Sequence, residues 1–97
     1  MLAKDQIRAI ARELDRSADE RIRMDDGRNA ELEPLWESVR RACRAIQTVA
    51  EMDSDGITRE DRRHKARYIV SELETALEAA RKARSAIEWT SARHRDV

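Results

Sequence analysis

A chain of 97 residues is one domain, and its 20 Lys+Arg set against 20 Asp+Glu leave no net charge, so composition singles out no charged partner class. Phe is absent, aromatics are 3 % and 15 of the hydrophobic residues are Ala; folding at this size buries only about two-thirds of the unfolded chain's surface, which excludes a large core. Stability has to come from close helix packing, long helices or a second chain.

With only Gly27, Gly56 and Pro34 as breakers, and with Ala, Arg, Glu and Leu all good helix formers, the sequence reads as all-α with few long elements. Cys43 stands alone, the N-terminus has no apolar leader-like run, and no stretch approaches a membrane span. These features lead to the expectation of a soluble, cytoplasmic protein with no membrane partner.

Helix 1 is expected over about residues 3–24. Ala3, Ile7, Ala11, Leu14, Ala18 and Ile22 fall on one face, with Ile10 beside them, a helical spacing. The first break is Met24–Gly27, where Asp25, Asp26 and Gly27 suit a turn. Helix 2 is expected over 34–52, with Pro34 at its first position, where a missing N–H costs nothing. Leu35, Val39, Ala42, Ile46 and Val49 make a heptad seam, flanked by Trp36, Cys43 and Ala50. Leu32 shares that register, which allows a preceding helical turn over 29–33.

A second turn at Met52–Gly56 leads to helix 3 over about 58–90, with Thr58 as N-cap and Glu60 and Asp61 at the positive end of the helix dipole. Its seam runs Ala66, Ile69, Leu73, Ala76, Ala80, Ala83 and Ile87, and residues 91–97 are expected to fray. The fold class follows as an antiparallel three-helix bundle, or a helical hairpin carrying helix 1, with a long C-terminal helix and a dimeric state.

An antiparallel hairpin through the second turn sets Ile46 near position 64 and Leu35 near position 75, so helix 3 outruns helix 2 beyond about position 78. Ala80, Ala83, Ile87 and Trp89 then form an uncovered end, and Tyr68 shares the outer side with Trp89. These five are the candidate partner-binding residues.

The same pairing groups Arg40, Arg41 and Arg44 with Arg62, Arg63 and Arg67 as a candidate basic belt, and Glu31, Glu33 and Glu37 with Glu72, Glu74 and Glu78 as an acidic zone. Neighbouring carboxylates are expected to neutralise much of the belt: Glu60 and Asp61 toward Arg63, His64 and Lys65, and Glu37 toward Arg40 and Arg41. Only Tyr68 interleaves the belt as an aromatic.

No chemical motif is complete. A calcium loop aligned on Gly56 has Glu51 at its first ligand position and Arg62 at its last, where Asp and Glu are required. Asp61 and His64 have the spacing of one di-iron half-motif without a second. Cys43 lacks a nearby histidine, and no Gly-rich phosphate loop or Gly-x-Ser-x-Gly elbow occurs. The expectation is therefore a chain with no catalytic residues, metal or cofactor. It reads as a non-enzymatic helical interaction module, an adaptor or small inhibitor that docks on a larger protein, and as a homodimer. The alternative is a nucleic-acid-associated protein whose arginine belt contacts phosphates.

Overall fold

The computed structural model describes residues 1–24 and 30–95, the side chains of 91–95 excepted. Its elements are α1 (Lys4–Arg23), a 3-10 turn (Ala30–Leu32), α2 (Glu33–Met52) and α3 (Arg59–Arg95). The expected turn around Asp25, Asp26 and Gly27 lies outside the described residues, as does Asn29. No helix among the described residues is long and apolar enough to cross a membrane.

Local chemistry sets the helix ends. The Gln6 side chain accepts a hydrogen bond from the Ala3 N–H at 2.8 Å, satisfying one donor that the first turn of α1 leaves unpaired. Asp5 sits in that first turn and Arg21 and Arg23 in the last, each favoured by the helix dipole. Pro34 lies in the first turn of α2, and Leu32 belongs to the 3-10 turn before it, as its register suggests. Asp53 closes α2 by donating its N–H to the Val49 carbonyl at 3.2 Å. Gly56 then takes φ +86°, a conformation that a side chain resists. Thr58 caps α3, its hydroxyl oxygen accepting from the Asp61 N–H at 3.1 Å.

The backbone of α3 is helical to Arg95, five residues beyond the expected end near position 90. No Gly or Pro follows Gly56, so nothing in the sequence breaks the helix before that point. At 1.5 Å per residue its 37 residues span about 55 Å, against about 30 Å for α2. This accounts for a long axis of 61 Å.

The three helices run antiparallel in sequence order. The Lys4 ammonium donates to the Asp53 carbonyl, and Arg40 reaches Asp15, so α1 and α2 run in opposite directions. Arg41 meets Glu72 and Lys65 meets Glu51, which fixes the same relation between α2 and α3. Both outer helices pack on α2, and no Cα of α1 comes within 8 Å of one of α3. The arrangement is thus a layer with α2 in the middle, and not a closed triangle.

The contacts inside this layer are made by small side chains. Among the described residues, the buried hydrophobic set is Ala11, Ala18, Cys43, Ala45, Ala50, Ala76 and Ala83, and no large side chain is fully buried. Ala11 and Ala18 interleave with Trp36, Cys43 and Ala50 across the α1/α2 contact, all at heptad spacing. Small residues there let the helix axes come close.

The turn that reverses the chain between α2 and α3 depends on Gly56. A Cβ added there would meet nothing within 4 Å, so the cost of Gly56→Ala is backbone strain alone. It is expected to lower unfolding stability by roughly 1–2 kcal/mol, measured by urea titration followed by circular dichroism, while Gly56→Asn loses less.

Candidate interaction surface

At 100° per residue, Glu37, Arg40, Arg44 and Glu51 point to one side of α2, and Leu35, Val39, Ala42, Ile46 and Val49 point to the opposite side. Because α1 and α3 occupy the two remaining flanks, both of these sides stay open. The layer therefore has one charged face and one apolar face.

The charged face is a continuous network across all three helices. Arg40 holds Asp15 at 3.2 Å, Asp19 at 3.4 Å and Glu37 at 3.2 Å. Arg44 approaches the other oxygen of Asp15 at 3.7 Å. Arg41 bridges Glu37 at 3.1 Å and Glu72 at 3.2 Å, and Lys65 reaches Glu51 at 3.0 Å. Burial works against the Arg40 charge, but the hydrogen bond from Arg40 to Asp15 and the charges of Glu37, Asp19 and Asp15 outweigh it, raising its pKa above the ordinary guanidinium value. Glu72 is buried, and its carboxylate is satisfied by Arg41.

The apolar face is lined by Ile7, Ile10 and Leu14 of α1, Val39, Ile46 and Val49 of α2, and Val70, Leu73 and Leu77 of α3, each between 37 % and 53 % exposed. On α1 these residues lie on the flank opposite Asp15 and Asp19. On α3 they lie on the flank opposite Glu72 and Tyr68. Leu35, Ala42 and Ile69 are half-buried among them. The seam that the sequence marks on α2 is thus real, but it is the open face of the helix and not its contact with α3.

The candidate partner-binding residues of α3 divide. Ala83 is completely buried within the chain, and Ala80 and Ile87 are half-buried, so Ala83 presents nothing to a partner. By the register that pairs Arg41 with Glu72 and Lys65 with Glu51, the first turn of α2 lies opposite about positions 80–83, and the Ala30–Leu32 turn before it also packs on α3. Tyr68 and Trp89 are exposed. Tyr68 lines a shallow hollow of about 400 Å³ on the charged side with Arg44, Thr48, Glu51 and Lys65, away from the aliphatic face.

The six arginines of the basic belt also separate. Arg40, Arg41 and Arg44 sit in ion pairs at the middle of the layer, with the Glu37 bridges that helical spacing suggests. Arg62, Arg63 and Arg67 are exposed near the start of α3, where Arg59, Glu60 and His64 share a hollow with Arg63 and Arg67. The local pairing expected of Glu60 and Asp61 does not form; Lys65 crosses to Glu51 instead. Of the acidic zone, Glu33, Glu37 and Glu78 come together around a hollow that also holds Lys82, and Lys82 lies 3.7 Å from Glu78. Sequence reasoning missed Asp15, Asp19 and Glu51 as the carboxylates that cross between helices. Asp15 and Asp19 interrupt the charge pattern next to the alanine face of α1, which was the available signal.

Among the described residues, no three His, Cys, Asp or Glu side chains gather into a metal-binding group; Asp61 and His64 are both exposed. Cys43 is buried, and burial, together with the Asp15 charge, pushes its thiol pKa up. Less thiolate and less access both slow its reactions. Cys43 is expected to react with a thiol reagent at pH 8 at least roughly tenfold more slowly in the folded chain than in denaturant, followed by mass shift. Arg41→Met is expected to cost about 2 kcal/mol by stranding the buried Glu72 carboxylate, and Arg41→Met combined with Glu72→Met less than that, as read from urea unfolding of the single and double variants. No family model, curated protein or solved structure matches this chain.

Proposed function

We propose that this chain is a non-enzymatic helical interaction module, an adaptor or small inhibitor that acts by covering its aliphatic face with protein. One observation carries the reading: nine large aliphatic side chains from three helices are about half exposed on one face, while the contacts inside the chain are made by alanine. A patch of that size normally marks a contact surface. At roughly 1.5–3 kcal/mol for burying one such side chain completely, covering nine half-open ones contributes on the order of 10 kcal/mol, comparable to the whole stability of a small domain.

The rest of the surface fits this role. Charged side chains around the face set orientation and encounter rate more than affinity. Arg21 stacks on Trp36, its guanidinium carbon 5.2 Å from the ring centroid, which ties up one aromatic within the layer. The docking surface in this reading is the middle of the layer, with Ile46 near its centre and Tyr68 outside it.

A second reading is favoured by Arg59, Arg62, Arg63 and Arg67, which cluster exposed at the start of α3. It makes this end a phosphate contact for nucleic acid. With Arg40, Arg41 and Arg44 already paired to carboxylates, the cluster is small and the reading is secondary.

The two separate in one set of measurements. Arg62→Ser combined with Arg67→Ser is expected to leave protein association through the aliphatic face unchanged, whether with a second copy or another protein, as read by cross-linking, whereas Ile46→Glu abolishes it with helicity retained. Nucleic-acid binding that appears at low salt, weakens steeply as salt rises and disappears in the double arginine variant would instead establish the second reading.

A further inference from the structure

We infer that the occupant of the aliphatic face is a second copy of this chain, so that two three-helix layers close on each other as a two-fold dimer with one shared core. The inference rests on reading that face as a contact surface, and it names what fills it.

Three features of the molecule select a second copy. The first is architecture: a stable domain needs two packed layers around a core, and this chain supplies one layer with a finished charged face and an unfinished apolar one. Two copies turn both unfinished faces inward. No other surface of the layer has to change.

The second is self-complementarity. The α2 stripe through Val39, Ala42, Ile46 and Val49 keeps a seven-residue repeat, the pattern with which one helix packs against an identical one. On either side of α2 lies an aliphatic stripe whose ends are seven residues apart, Ile7 to Leu14 on α1 and Val70 to Leu77 on α3. Either two-fold axis in the plane of the face, along α2 or across it, lays aliphatic stripe on aliphatic stripe. A two-fold contact requires the same patch on both partners. The balance of 20 basic and 20 acidic residues also means that two copies carry no net repulsion.

The third is size. The aliphatic face runs about 20 Å along α2, from Leu35 to Val49, and about 25 Å across three helices spaced 8–10 Å apart, a footprint on the order of 500 Å². A stable interface takes about 800 Å² from each partner. The aliphatic face is the greater part of such an area, and the residues that rim it supply the remainder.

The test is mass by light scattering coupled to size exclusion at tens of micromolar, with Ile46→Glu and Leu73→Glu as variants and circular dichroism as the control for helicity. The wild type is expected at twice the 11.3 kDa chain mass. Each variant is expected as a helical monomer, its dimer at least roughly a hundredfold weaker because a carboxylate would be buried without a partner. Hydroxyl-radical footprinting of the wild type needs no variant and gives an independent readout. Ile10, Ile46 and Leu73 should be protected at high concentration and modified on dilution, while Tyr68 is modified at both.

A wild-type monomer that still binds an apolar dye overturns the second copy but leaves an open face for a different protein. A monomer that binds no dye overturns both this inference and the interaction-module reading. A dimer that persists in both helical variants, or in which Ile46 stays reactive, overturns the inference by placing the contact on another surface.

Discussion

Everything in this fold passes through α2. The backbones of the outer helices stay apart, with no Cα of one within 8 Å of the other, so α2 has to present two opposite flanks to them and is left with two open faces. A helix of 20 residues with four distinct sides cannot give each a broad apolar stripe. Its sequence resolves this by assigning small residues to the flanks, Cys43 and Ala50 toward α1 and Ala45 and Thr48 toward α3, and by placing the large aliphatics on a third side. Thr48 can be buried because its hydroxyl donates to the Arg44 carbonyl at 2.9 Å, leaving no unpaired polar group.

This assignment has an energetic consequence. Alanine contacts bring helices close but remove little apolar area from water per residue, so the layer gains modestly from its own packing. The ion pairs of the charged face add specificity of register more than stability, since burying charges costs much of what pairing returns. The side chains with the most area to bury, Leu14, Ile46, Leu73 and Leu77 among them, are those that remain about half exposed. The chain stores its largest hydrophobic gain in a surface it does not cover itself.

How much of this was legible in the sequence follows from what periodicity records. The spacing of Leu35, Val39, Ala42, Ile46 and Val49 correctly marks an apolar stripe on α2, and Thr58, Pro34 and Gly56 mark the turns and ends that the structure has. Periodicity says that a stripe is apolar, though, and not which neighbour meets it. The stripe was therefore assigned to α3, when α3 meets the adjacent flank through Ala45 and Thr48. The register of the hairpin was nearly right: Arg41 pairs with Glu72 and Lys65 with Glu51, close to the positions that a short turn dictates. The observed register runs a few residues beyond the one expected from the turn, so Ala83, expected in the uncovered end, is buried. For carboxylates such as Asp15 the signal is faint: their place beside the alanine face of α1 marks them, but a surface aspartate and one that ties two helices together are the same residue in one sequence.

The orientation of each helix is held from the charged side. Turning α1 about its axis to press Ile7 and Leu14 against α2 would carry Ala11 and Ala18 out of the contact and pull Asp15 and Asp19 away from Arg40. Turning α3 to bury Leu73 and Leu77 would draw Glu72 away from Arg41. Either movement breaks partly buried pairs that cross between helices, at a cost of about 2 kcal/mol for stranding the Glu72 carboxylate, which offsets the gain of roughly 1–3 kcal/mol for finishing the burial of two half-exposed aliphatic side chains. The network thus opposes the chain's satisfying its own apolar stripes, and the open face is a product of the same residues that set the register of the three helices.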